Sequence, residues 1–109
     1  MAQFLLLFEG FAAPEQADDA ETQAYTAKWM DWMAGLARDG VLVSAAPLLD
    51  TGKRVDRDGA HDLALERVDV GGYALVEAAS LEATAEVART APHTALGGST
   101  IVRPVMPRR

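Results

Sequence analysis

His61 and Asp62 are the neighbouring side chains of this 109-residue chain that best suit acid–base chemistry. Histidine can take up and release a proton near neutral pH, and a carboxylate beside it can fix its tautomer or act as an acid itself. Adjacent residues of a strand point to opposite faces, so the two side chains are poorly placed to touch each other. We take both as candidate catalytic residues; the alternative is a pair of exposed, solvated side chains.

Four further side chains suit a small-molecule site. Trp29 and Trp32 offer wide, rigid apolar surfaces with one hydrogen-bond donor each, and could form the floor of a pocket for a flat ligand. Tyr73 would add a phenol, and Arg103 a guanidinium that can hold a carboxylate through two hydrogen bonds. The alternative interpretation places both tryptophans in the core and the other two side chains in inter-strand or dimer contacts.

The sequence contains no pattern typical of a metal or cofactor site. It has no cysteine, and its only histidines, His61 and His93, are far apart in the chain. The segment Asp56–Gly59 is similar to the start of a calcium loop, but the positions of the loop's glycine and final glutamate hold His61 and Arg67. No phosphate-binding loop, dinucleotide fingerprint or nucleophile elbow occurs. We therefore predict neither a metal nor a cofactor.

The composition is typical of one globular domain. Half of the residues are hydrophobic and 24% are charged, and the net charge is −6. This charge has the wrong sign for binding phosphates, so nucleic acid is not an expected partner. The apolar segment Phe4–Phe8 is too short for a signal-peptide core, and no apolar stretch approaches the roughly 20 residues of a membrane-spanning helix. We predict a single cytoplasmic domain over residues 1–109, without a membrane partner.

Two segments have the periodicity of helices. Asp18 or Asp19 can cap the first, and Gly40 can end it in a left-handed conformation. Ser80 can cap the second, which Pro92 ends. The apolar stripe of the first helix consists of Tyr25, Trp29, Trp32, Met33 and Leu36.

Four apolar runs predict the strands of a sheet: Phe4–Phe8, Val41–Val43, Tyr73–Val76 and Ile101–Val102. The first run does not alternate between apolar and polar residues, which indicates that both faces of the sheet need cover. Two helices can cover one face of a four-stranded sheet but not two. We therefore predict a homodimer that is joined through the sheet faces the helices leave open.

A β-hairpin is predicted between the second and third of these strands. Asp58-Gly59 lies between Lys53–Val55 and His61–Leu65, and an Asp-Gly pair flanked by extended segments favours a tight turn. This hairpin would form an inserted arm. Pro104 directly follows the last strand, and because proline cannot donate to a sheet ladder, that strand is expected at an edge.

The order strand, helix, strand, arm, strand, helix, strand resembles the α+β ferredoxin-like arrangement, βαββαβ, with a β-hairpin insertion. Several stretches also resemble the YCII-related family, often called the DGPF family, in the same order over nearly the whole chain. This resemblance implies a single YCII-related domain over residues 1–109 and a dimeric α/β-barrel in which two sheets pack face to face. The matching stretches are Phe4–Leu7, Tyr25–Met33, Gly40–Ser44, Gly71–Tyr73, Glu77–Glu82, Gly97–Ser99 and Val102–Val105.

The chain departs from the family pattern at two places. Where the family shows Asp-Gly-Pro-Phe, this chain reads Asp62–Leu65, which keeps the acid and loses the glycine, the proline and the aromatic ring. A branch of the family carries a histidine on the first helix and an aspartate before the proline that ends the second, proposed as a catalytic pair. Here the first helix has no histidine, and Ala91 precedes Pro92. The resemblance therefore leaves Asp62 as the matching acid.

Two hypotheses on function follow. In the first, the protein is a small-molecule isomerase or lyase with a pocket between helix and sheet, in which Asp62 or His61 moves a proton. In the second, it is a non-enzymatic dimeric binding or regulatory module. A pocket that touches Asp62 would favour the enzyme, and a pocket filled by Trp29, Trp32 and Met33 would favour the module.

Overall fold

Six strands and two helices make up the part of the chain that the structure, a computed structural model, describes: residues 1–10, 16–64 and 69–107. In chain order they are β1 (Ala2–Glu9), α1 (Asp19–Arg38), β2 (Leu42–Pro47), β3 (Lys53–Asp56), β4 (Gly59–Asp62), β5 (Val70–Ala78), α2 (Leu81–Arg89) and β6 (Ser99–Pro104), with a turn of 3₁₀ helix at Thr94–Leu96. Neither helix of these described segments is long and apolar enough to cross a membrane.

Both helices begin at side-chain caps that the sequence predicts. Asp18 caps α1, since its Oδ1 accepts a hydrogen bond from the Glu21 amide at 2.8 Å. Ser80 caps α2, since its Oγ accepts from the Ala83 amide at 3.0 Å. Gly40 follows α1 with φ of +73°, the left-handed conformation that closes a helix at little cost for glycine.

The four-stranded sheet has the order β2-β5-β1-β6, and each neighbouring pair is antiparallel. β6 lies at an edge, which confirms the expectation from Pro104. Leu5 of β1 lies opposite Leu75 of β5 and Arg103 of β6. An antiparallel sheet with two helices confirms the α+β class, and this strand order is compatible with a ferredoxin-like arrangement.

The core lies between the helices and one face of the sheet. Along β1, the side chains of Phe4, Leu6 and Phe8 are buried, whereas the intervening residues are only half-buried. This period of two is typical of a strand in which one face is buried more deeply than the other. The other buried apolar members of the core cluster are Trp29, Ala74, Val76, Ala88 and Ala91.

The opposite face of the sheet is apolar as well. The pairing register puts Leu5 and Leu7 on this face, next to Leu75 and Ile101 of the flanking strands. Ile101 keeps 40% of its surface exposed. Both helices pack on the Phe8 side, so no element of the described chain covers this second face.

β3 and β4 form a separate two-stranded arm between β2 and β5, as the sequence predicts. All eight of its strand residues are exposed. The turn lies one residue earlier than expected, at Arg57-Asp58, because Asp56 Oδ1 accepts from the Asp58 amide at 2.8 Å and fixes the start of the turn. Leu65, where the sequence predicts that this hairpin ends, lies outside the described residues.

Candidate functional site

A cavity of about 550 Å³ lies between α1 and the β2 side of the sheet. This volume is within the range of small-molecule sites in proteins. Most of the described lining is apolar, and its larger apolar side chains are those of Phe8, Trp29, Met30, Met33 and Leu42.

The cavity exists because large and small side chains face each other unequally. From Thr22 to Met33, the lining residues of α1 recur at helical spacing along one face of the helix. Beyond Leu42, the strand opposite them offers only the methyl group of Ala45 on this face, because Ala46 pairs with Tyr73 and points to the other side, and Pro47 then ends the strand. One methyl group cannot fill the space under an aromatic face, and a gap remains at this end of the helix.

Trp29 forms the rigid floor of the cavity. Only 6% of its surface is exposed, and its ring meets that of Phe8 edge to face, with centroids 5.0 Å apart. The rings of Trp32 and His93 lie 5.7 Å and 5.1 Å from it. Edge-to-face contacts between rings stabilise an aromatic cluster in addition to the stabilisation that comes from burying the apolar surface of the rings.

Tyr25 supplies a polar group on the cavity wall. Burial raises its pKa above the ordinary 10.0, and a hydrogen bond with the Trp29 side chain opposes this rise. The phenol therefore keeps its proton at neutral pH.

Two of the four ligand-binding candidates from the sequence border this cavity: Trp29 with its ring, and Tyr73, whose pairing with Leu7 puts its side chain on the other face of the sheet. Trp32 does not, and its indole N–H donates to Thr90 Oγ1 at 2.9 Å. Arg103 lies opposite Leu5, on the sheet face that points away from the helices. The sequence alone could not predict on which face of the sheet Arg103 lies, because this depends on the pairing register of β6 with β1.

The two catalytic candidates lie on the exposed arm. Asp62 Oδ1 contacts Lys53 Nζ at 2.5 Å, and 86% of its side chain is exposed. His61 Nε2 lies 3.7 Å from Asp56 Oδ1. Neither residue belongs to the described cavity lining. Their separate partners agree with the opposite orientation expected of strand neighbours, and their catalytic role stays a prediction.

His93 is a buried titratable residue that the sequence interpretation did not single out. It has no exposed surface, and its Nε2 lies 2.8 Å from the Ser99 carbonyl oxygen and 3.2 Å from Thr100 Oγ1. No group in the described segments forms a hydrogen bond with its Nδ1. Burial lowers the pKa of His93, although the Ser99 hydrogen bond opposes this, and the ring is neutral at pH 7.

A sequence signal for His93 exists in the glycines that follow it. Its ring lies 5.5 Å from that of Phe8, behind the floor of the cavity. Gly98 lets the chain pass close to the His93 ring, because a β-carbon at this position would collide with the ring. A β-carbon on Gly97 would meet no atom within 4 Å. A histidine shortly before such a pair is therefore a candidate for burial.

The fold is shared with a solved enzyme structure, that of the 5-chloro-2-hydroxyhydroquinone dehydrochlorinase TftG from Burkholderia phenoliruptrix AC1100 in complex with 2,5-dihydroxybenzoquinone. The match has a TM-score of 0.57 and 18% sequence identity, and covers 97% of this chain and 95% of that chain. Identity this low establishes a common fold and no more. None of the curated proteins matches the sequence.

The family model of the YCII-related domain matches residues 7–109. This match extends from residue 7, near the end of β1, to the end of the chain, and so includes both helices, the arm and all the described cavity-lining residues. It confirms the resemblance found in the local motifs. The chain belongs to the YCII-related family.

Proposed function

We propose that this protein binds a small, largely apolar molecule in the cavity between α1 and β2. The observation that carries the proposal is the cavity itself, about 550 Å³ with the Trp29 ring as its floor. A preformed apolar space of this size, with few polar groups at its wall, is the usual form of a small-molecule site. Trp29 and Met33 line this space without filling it, which supports a site for a ligand.

Binding is better supported than catalysis by the chemistry of the lining. The described lining residues that can turn a hydroxyl towards the cavity are Thr22, Thr26 and Tyr25, because the register puts the side chain of Tyr73 on the other face of the sheet. Tyr25 is a poor base at neutral pH because burial raises its pKa. A proton-transfer step would need a group from elsewhere in the protein.

The second candidate function is an isomerase or lyase. It is favoured by the likeness in fold to TftG, a dehydrochlorinase that holds a dihydroxybenzoquinone in its structure. In this alternative, Asp62 or His61 moves the proton. The arm that carries them begins a few residues after Pro47, at the rim of the cavity, so the arm would have to reach this cavity or that of a second copy.

A homodimer is part of the proposal. Leu5, Leu7, Leu75 and Ile101 form a contiguous apolar surface across three strands, on the face that the helices leave open. Apolar patches of this kind mark interaction sites, and a second copy offers the same patch through a twofold axis. Two such sheets packed face to face would form a dimeric α/β-barrel.

Ligand-dependent thermal stability tests the binding function. A ligand that binds the folded state raises the melting temperature by mass action. Ala45→Trp and the milder Ala45→Leu add side-chain volume inside the cavity, and both should abolish or reduce the shift caused by a fragment that stabilises the wild type. Ala85→Trp, on the exposed side of α2, is the matched control and should leave the shift unchanged.

Shifts that survive both Ala45 variants would place the ligand elsewhere and contradict the proposal. For the second candidate, turnover that is lost in Asp62→Asn or His61→Ala while the ligand-induced shift persists would support catalysis. Turnover retained in both variants would contradict the assignment of these two residues.

A further inference from the structure

We propose that two ion pairs set the orientation in which a second copy of the chain docks on the open face of the sheet. In each pair, Arg103 of one copy binds the partner's Glu77. This inference rests on the homodimer of the proposed function and specifies how its two sheets are oriented. It follows from the positions that the strand register gives to the charged residues of this face.

The open face has an apolar centre and charged residues at its border. Leu5 of β1 has Leu75 of β5 on one side and Arg103 of β6 on the other. Two residues earlier in β1, Gln3 pairs with Glu77 of β5. Since alternate residues of a strand share one face, Arg103 and Glu77 lie on the same side of the sheet, and both are exposed. An apolar centre with a polar rim is the usual form of a protein interface.

The charges of this face make it complementary to itself. Its strand residues include one cation, Arg103, and two carboxylates, those of Glu9 and Glu77. The Glu9 carboxylate already accepts a hydrogen bond from Ser99 Oγ at 3.0 Å. In the part of the chain that the structure describes, neither Arg103 nor Glu77 belongs to an ion pair. A cation and a carboxylate on one face favour a second copy over an unrelated partner, because each copy supplies the charge that the other needs.

The spacing of the two residues is compatible with a twofold axis through the apolar centre. With strands about 4.8 Å apart and a rise of about 3.4 Å per residue, Arg103 and Glu77 lie roughly 10 Å apart across the strands and roughly 7 Å apart along them. A twofold axis between two facing sheets places each residue opposite its mirror position across that axis. On a flattened sheet, the axis that brings Arg103 over the partner's Glu77 passes between Leu5 and Leu75, at about 35° to the strands. One axis therefore packs the apolar centres together and forms both ion pairs.

Charge reversal tests the pair. Arg103→Glu and Glu77→Arg each bring like charges together twice in a twofold dimer, and we expect either variant alone to raise the Kd of the dimer at least about 100-fold. The two variants should bind each other about as tightly as two wild-type chains, because both contacts of the mixed dimer join opposite charges. Fluorescence-detected sedimentation measures each Kd, with one amine-labelled chain titrated by an unlabelled one from nanomolar to micromolar concentration.

Matched variants separate the contact from net charge and from folding. Arg38→Glu and Glu82→Arg make the same charge changes at exposed positions of the helices, which pack on the other side of the sheet, and each should dimerise like the wild type. Glu9→Arg should not restore the dimer of Arg103→Glu. Urea denaturation checks that a monomeric variant is folded. If a reversal does not fold alone, Arg103→Gln, which removes the charge without reversing it, should raise the Kd about tenfold.

The outcomes separate the ion pair from the dimer. Restoration of the dimer only when Arg103→Glu meets Glu77→Arg would support the inference. A wild-type dimer that both reversals leave intact, or that their mixture fails to restore, would overturn the ion pair and leave the homodimer standing. Restoration of Arg103→Glu by Glu9→Arg would also overturn the pair. A wild-type chain that stays monomeric at micromolar concentration would contradict the homodimer and the inference together.

Discussion

Gly98 lies directly against the ring of His93. A β-carbon on Gly98 would stand 2.5 Å from His93 Cδ2 and 2.9 Å from the carbonyl oxygen of Glu9. The next residue, Ser99, opens β6 and places its carbonyl oxygen 2.8 Å from His93 Nε2. The missing side chain at Gly98 therefore allows the chain to close over the histidine at the edge of the sheet.

Substitution of this glycine tests how tightly that corner is packed. Gly98→Ala should lower the free energy of unfolding by about 1–3 kcal/mol, because the added methyl group meets a ring and a backbone oxygen rather than a flexible chain end. Urea denaturation measures the change. The matched control is Gly35→Ala in α1, where the nearest atom is 3.6 Å away and alanine should stabilise the helix by about 0.5–1 kcal/mol. Equal effects at both positions would contradict the packing argument.

The protonation of His93 should make stability depend on pH. Its pKa in the folded protein lies below the ordinary 6.5, so the unfolded chain binds the proton first as the pH falls. The contribution of His93 to the free energy of unfolding is therefore fully present above about pH 6.5. It is lost progressively as the pH falls from there to the pKa of the folded state. We expect the fall in melting temperature between pH 7.5 and pH 5.0 to be smaller in His93→Gln than in the wild type. His61→Gln, at an exposed position, should retain the wild-type fall; the same fall in all three proteins would refute the role of His93.

The elements of this fold could be predicted from the sequence because their signals are local. A capping side chain such as Asp18 or Ser80 bonds an amide three residues away, and Gly40 ends α1 through its own backbone conformation. Pro104 marks an edge strand by its own lack of an amide proton. The apolar content of Phe4–Phe8 likewise predicted a strand with two apolar faces, and Leu5 and Leu7 on the open face of the sheet confirm this.

The candidate site was less predictable because it depends on which distant residues meet. The cavity arises where Ala45 comes opposite Trp29, and this requires the strand order as well as the position of α1. Arg103 and Trp29 both suit a ligand by residue type, but the pairing of Arg103 with Leu5 sends its side chain to the other face. Trp32 donates to Thr90 instead of lining this cavity, and no periodicity of the sequence connects two residues 58 positions apart.

The open face of the sheet should control the oligomeric state. Leu75→Glu places a carboxylate at the centre of the apolar patch, and in a twofold dimer two such charges would have to be buried in an apolar interface. We expect light scattering at micromolar concentration to give twice the 11.6 kDa chain mass for the wild type and the monomer mass for this variant. Leu49→Glu makes the same chemical change at a residue that is 83% exposed outside the sheet, and should stay dimeric. A monomeric wild type would overturn the dimer.

The arm should contribute little to stability, which makes it a clean place to test chemistry. The Lys53–Asp62 ion pair is largely exposed, and pairs of this kind contribute about 0–1 kcal/mol. The free energy of unfolding of Asp62→Asn and of Lys53→Gln in urea should therefore lie within about 1 kcal/mol of the wild-type value. Both variants remove the ion pair, but only Asp62→Asn removes the carboxylate. If a turnover assay is found, loss in Asp62→Asn alone would assign the carboxylate to the reaction. Equal loss in both variants would show that the ion pair holds the arm in place, because Lys53→Gln keeps every proton-accepting atom of Asp62.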